Sequence, residues 1–238
     1  MKRKSSIVTE LRNEISKYRD NKYMIDAGQF EKGIGKGKSY VLKASIVKKI
    51  SADSYRKIKN RPKQEIFELC EDLLKEGYNN VAFDWAYRCK KHYEIRDFCL
   101  FEYWLKKYVE GWGSCDDFCT HALGYFLFQF PGFVSTIKLW AKSRNRWLRR
   151  ASAVVLIYSI RRKQMIASVF EIADTLLLDK DDLVQKGYGW MLKEAGNHFP
   201  KEVFHYVMKH RKEMPRTSLR YSIEKFSPEI RKEAMKKD

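Results

Sequence analysis

Three short segments of this chain hold residue types that could do chemistry together. In the first, Trp112 precedes Asp116 by four positions, a spacing that turns an indole and a carboxylate to one side of a helix. The second is RNRWLRR, residues 144–150, where Trp147 and Arg150 share a face three positions apart. The third is KGYGW, residues 186–190, where Gly187 and Gly189 thin the chain beside Trp190. A carboxylate between aromatic walls suits one kind of reaction, in which positive charge develops on a sugar-like group. The anion stabilises that charge and orients water, and the ring faces add cation–π attraction and a dry wall. Taken singly, each feature also has a plain reading: tryptophans fill helical cores, aspartates cap helices, and glycines permit close packing. The combination is what points to a site.

These residues converge only if the elements carrying them repeat. Gly (12) and Pro (5) are scarce over 238 residues, which favours long helices over short strands. From residue 65 onward the sequence divides into helix pairs. Ile66, Leu69, Cys70, Leu73 and Leu74 form one apolar stripe, and Val154, Ile157 and Tyr158 form part of another. Trp112 and Trp147 stand 35 positions apart, and Leu148 and Val184 stand 36 apart. A two-helix period of this length predicts an all-α fold, a HEAT-like helical-repeat solenoid with a concave face. In such a solenoid the second helices line the concave side, where the three segments would meet. Segments 113–130 and 145–164 are each expected as one unbroken helix.

Residues 1–64 read as a separate basic, helical cap, and 65–238 as one continuous repeat domain. The cap opens with an amphipathic helix, SSIVTELRNEISKYRD, followed by GQFEKGIGKGKS at 28–39. That loop could offer backbone N–H groups with Lys36 and Lys38 to phosphate. Its GKS ending resembles a Walker loop, but Lys32 stands where the first glycine belongs and no apolar strand precedes it, so that motif is rejected.

The formal net charge is +18 and unevenly distributed. Residues 1–64 carry 18 Lys/Arg against 6 Asp/Glu, and 141–164 carry eight basic residues with no acid. Concentrated charge of this kind predicts a polyanion partner, and double-stranded nucleic acid fits best, so the concave face is expected to be basic and DNA-binding. The basic stretches lack the wide apolar face of a membrane-surface helix. No apolar run is long enough to span a bilayer, and MKRKSSIVTE has no signal-like core, so a cytoplasmic, nucleoid-associated monomer is the expectation. The five cysteines lack CxxC spacing, and Cys115, Cys119 and His121 do not share a helix face; no metal site and no cofactor are expected.

WGSCD at 112–116, RWLRRA at 146–151 and VQKGYGWMLKEAGNHFPKEV at 184–203 resemble the AlkD-like DNA alkylation-repair glycosylases. GKGKSY at 35–40 resembles the corresponding loop of that family, although SIVKK stands where a Pro-x-x-Arg-type element often follows. The resemblance implies a DNA glycosylase that excises N3- and N7-alkylated purines from duplex DNA without cofactor or metal. It implies Asp116 as the catalytic carboxylate, Trp112 and Trp190 as aromatic walls at the lesion's deoxyribose, and Arg150 as a contact to the DNA backbone. Arg149, Trp147, Arg146 and Lys186 join Arg150, Lys36 and Lys38 as expected DNA-binding residues. The alternative function is a non-catalytic repeat protein that binds damaged or distorted duplex.

Overall fold

A computed structural model describes residues 6–26 and 40–236. They form a helical-repeat protein with two compact units, Met1–Cys89 and Lys90–Asp238. Lys36 and Lys38, the lysines of the Gly/Lys loop, lie outside the described residues.

The first unit contains α1 (Ser6–Ser16), α2 (Ala44–Arg56), α3 (Lys63–Lys75) and α4 (Asn79–Arg88). In α1 the pattern is amphipathic as predicted: Ile7, Val8 and Leu11 are buried while Glu10 and Asn13 are exposed. Two strands that the periodicity did not predict, β1 (Met24–Asp26) and β2 (Tyr40–Leu42), pair antiparallel with Met24 opposite Leu42. At three residues each they are too short for an alternating pattern to stand out. The turn from α3 to α4 rests on Gly77, whose φ of +81° is a left-handed helix end that suits glycine. Trp85 of α4 is fully buried and donates its indole N–H to the Ser51 carbonyl at 3.2 Å.

The second unit runs through α5 (Asp97–Tyr108), α6 (Trp112–Thr120), α7 (Ala122–Gln129), α8 (Val134–Trp140), α9 (Arg146–Val154) and α10 (Ile157–Ile160). It continues with α11 (Ile166–Leu176), α12 (Asp182–Gly196), α13 (Pro200–His210), α14 (Arg216–Ser222) and α15 (Pro228–Met235). Every residue from Ala151 to Ile160 is buried, so α9 and α10 form the centre of this unit. A cluster of Phe98, Phe101, Trp104, Phe118 and Phe126 fills the space beneath α5, α6 and α7. Each such ring contributes roughly 1.5–3 kcal/mol by leaving water.

Both of the long helices predicted at 113–130 and 145–164 are broken. At His121 the backbone leaves the helix with φ −121° and ψ −90°. Thr120 Oγ1 donates back to the Asp116 carbonyl at 2.7 Å, and Gly124 packs so tightly that an added Cβ would lie 2.8 Å from Tyr158 Cβ. The second break falls at Val155 and Leu156, between α9 and α10. Continuous apolar character masks both, because periodicity persists through a local change of helix axis.

Many side-chain bonds between elements fall at one characteristic distance along the chain. Asp116 and Arg150 are 34 residues apart, Arg161 and Glu194 33, and Lys193 and Glu224 31. In the first unit Ser51 and Trp85 are also 34 apart. This is the period of about 35 read from the sequence. Each repeat is therefore bonded chiefly to the next one along.

Candidate active site

Asp116 lies one turn into α6, four residues after Trp112, which begins that helix. The two side chains share a face of α6. From α9, Arg150 meets Asp116 with two bonds, Nε to Oδ1 at 2.8 Å and Nη2 to Oδ2 at 2.7 Å. Its remaining terminal nitrogen, Nη1, donates to the Leu183 carbonyl in the first turn of α12. The Arg150 side chain is 6% exposed and that of Asp116 16%. One guanidinium thus ties three successive repeats to one carboxylate.

Such a pair is fixed in direction because a planar guanidinium matches a carboxylate at both oxygens. Burial pushes the Asp116 carboxyl above its ordinary value, against the opposing pull of the Arg150 bonds. Burial also opposes the charge of Arg150, but bonding to Asp116 outweighs it and raises the guanidinium pKa. Cys115 and Cys119, on either side of Asp116, are fully buried. Burial pushes the Cys119 thiol well up, away from the nucleophilic thiolate. Among the described residues no group of three His, Cys, Asp or Glu could hold a metal ion.

Gly187 explains how α12 approaches this pair. A Cβ on Gly187 would lie 3.1 Å from Arg150 Cγ and 3.3 Å from Nη1, so the backbone of α12 rests against the arginine. Trp190 follows three residues later on the same side of α12, half-buried. Gly189 does a different job: a Cβ there would stand 2.7 Å from Tyr221 Cβ and 3.0 Å from the Ser218 carbonyl of α14. The α6, α9 and α12 segments singled out in the sequence therefore meet at Arg150.

A protein-family model described as DNA alkylation repair enzyme matches residues 11–226 of the chain. The chain belongs to that family. Membership in the DNA alkylation repair family implies DNA as the partner. A solved structure described as a predicted DNA alkylation repair enzyme from Enterococcus faecalis superposes with a TM-score of 0.68. That match is 17% identical and covers 78% of this chain and 87% of the other, a likeness of fold. No curated protein matches the sequence. No described helix is long and apolar enough to cross a membrane.

In this member of the DNA alkylation repair family, three of the four arginines of the RNRWLRR segment, Arg146, Arg149 and Arg150, already have protein partners. Arg150, expected at a phosphate, is buried, and its Nε, Nη1 and Nη2 bond inside the protein. Arg149 pairs with Asp179 at 2.6 Å and also donates to the Ser143 carbonyl at 3.0 Å. Arg146 pairs with Asp181 at 2.8 Å, and its guanidinium carbon lies 5.2 Å from the centre of the Trp147 ring. Asp181 in turn caps α12 by accepting from the Leu183 N–H. Burial raises Asp181, but the Arg146 bonds and the capping N–H groups outweigh it and hold the carboxyl low. Lys186 makes an exposed pair with Asp182 at 2.9 Å, one turn back on α12. That pair contributes only about 0.3–0.5 kcal/mol and can be exchanged for another anion at little cost.

Sequence reasoning missed Leu183, Arg161 and Glu194. Leu183 acts through its carbonyl, which no side-chain pattern reports. Arg161 and Glu194 did carry a signal: an acid and a base one repeat apart, like Asp116 and Arg150.

Proposed function

We propose that the chain is a DNA glycosylase that hydrolyses the N-glycosidic bond of N3- or N7-alkylated purines in duplex DNA. The observation that carries this reading is the part-buried Asp116 carboxylate, fixed at both oxygens by Arg150 between two segments that each supply a tryptophan. An alkylated purine is already cationic, so its bond to C1′ breaks with the electron pair going to the base, and no strong general acid is required. The deoxyribose is left with oxocarbenium character. Asp116 stabilises that charge and orients a water, whose oxygen bonds to C1′ while its proton passes to solvent water. Free base and an abasic sugar result. Trp112 and Trp190 serve as the aromatic walls, and Arg150 holds Asp116 in place. Lys186, Arg146, Arg149 and Trp147, with Lys36 and Lys38, supply the contacts to the DNA strand.

One observation favours the second reading, a repeat protein that binds damaged duplex without cutting it. Both Asp116 oxygens already accept bonds from Arg150, as they would in a purely structural pair. Each oxygen nevertheless keeps a further lone pair. Release of 7-methylguanine from methylated duplex decides between the readings. Release by the wild type that is lost in Asp116→Asn supports the glycosylase. Duplex binding with no release supports the second reading.

A further inference from the structure

We infer that Glu194, clamped by Arg161, is a positioning residue for the Trp190 indole, an inference that rests on the glycosylase reading above. Trp190 is half-buried, and Gly187, three residues earlier on its face of α12, presents no side chain to it. Gly187 and Gly189 have no side chains, and the space a Gly189 side chain would fill is taken by Tyr221 and Ser218. A hydrogen bond at the indole nitrogen fixes the ring. The Trp190 Nε1–H donates to Glu194 Oε1 at 2.9 Å, one turn further along α12.

Glu194 is itself immobilised from the preceding repeat. Arg161, the residue that ends α10, donates Nε to Oε2 at 3.0 Å and Nη2 to Oε1 at 3.1 Å. The Glu194 side chain is 15% exposed, whereas Arg161 is 46% exposed. Burial raises the Glu194 carboxyl, but the bonds from Arg161 and Trp190 outweigh it and keep the group ionised. An ionised acceptor on the N–H also makes the ring face richer in electrons, which strengthens its attraction for a cationic base or sugar. The arrangement parallels the one at Asp116. In both, an arginine holds a carboxylate across one repeat; Asp116 faces the reaction, whereas Glu194 faces the ring beside it.

The test is a cycle of Glu194→Ala, Trp190→Phe and the double variant, with Glu194→Gln as the conservative control. Single-turnover release of 7-methylguanine is measured alongside acrylamide quenching of the Trp190 fluorescence, taken as the wild-type signal minus that of Trp190→Phe. Glu194→Ala is expected to slow release about tenfold through a displaced ring. It should also increase Trp190 quenching. Glu194→Gln, which keeps an acceptor oxygen, should restore most of both. In the Trp190→Phe background Glu194→Ala should change release by no more than about twofold. Should Glu194→Ala lose helical circular dichroism, Arg161→Ala takes its place, with the same signature expected at smaller amplitude. Equal losses with and without the Trp190 indole, or unaltered Trp190 quenching, overturn the inference. If the wild type releases no base, the glycosylase reading fails, and the quenching result alone decides whether Glu194 positions Trp190.

Discussion

Arg150 reaches across one repeat to grip both oxygens of Asp116, at 2.8 and 2.7 Å, from a position almost closed to solvent. A buried ion pair adds little net stability against a well-packed apolar pair, but losing one partner strands the other. The two residues therefore differ in what their removal should do.

Arg150→Ala leaves the Asp116 carboxylate buried without its counter-ion. Unfolding stability should fall by roughly 3–5 kcal/mol, with excision lost as well. Arg150→Lys restores the charge but not the two-point grip, so it should recover stability only partly. Thermal melting of the three proteins checks this order.

Asp116→Asn keeps one acceptor oxygen for Arg150 and most of the volume. It should preserve duplex affinity while lowering 7-methylguanine release by about a hundredfold or more, the scale of removing a preorganised electrostatic stabiliser. Binding and single-turnover release, measured on the same preparation, separate the two effects. A parallel loss of binding would place Asp116 in DNA recognition.

The acid side of the pH profile should report Asp116. Only the carboxylate stabilises positive charge, so release is lost as pH falls through its pKa. Because burial raises that pKa, the loss should begin at higher pH than for an ordinary aspartate, whose value is about 3.9. Rates in Asp116→Asn should lack this limb.

Three glycine-to-alanine substitutions should separate site from scaffold. Gly113→Ala meets nothing within 4 Å and should stabilise α6 by about 0.5–1 kcal/mol. Gly189→Ala forces α12 and α14 apart at 2.7 Å and should destabilise by about 1–3 kcal/mol. Gly187→Ala presses on Arg150 at 3.1 Å, so excision should fall by more than its small change in melting temperature implies.

Lys186→Ala removes only an exposed pair and should lower stability by no more than about 0.5 kcal/mol. If Lys186 meets a phosphate, the slope of log affinity against log salt should shrink by about one. Arg146→Ala, which uncouples the Asp181 cap of α12, should lower stability as well.

The array was legible because its period is written twice, in apolar spacing and in the tryptophans at 112 and 147. Trp112, Asp116 and Arg150 stood out for the same reason: chemistry-bearing residues recur at one register. The breaks at His121 and between Val155 and Leu156 were hidden by apolar character on both sides of each. The solvent exposure of Arg150 was hidden too, since its burial depends on how closely α12 approaches, which Gly187 sets through having no side chain. RNRWLRR reads as a basic surface, yet Asp179 and Asp181, some thirty residues away, already neutralise two of its arginines.

The one-repeat reach of these bonds limits where the chain can be cut. A fragment ending at Ser159 would hold both Asp116 and Arg150 and still lack the Leu183 carbonyl that completes the arginine's set of acceptors. It would also lack the Gly187 backbone that covers the arginine. The Asp116–Arg150 pair is thus complete only as a middle link, with an intact neighbour two repeats downstream.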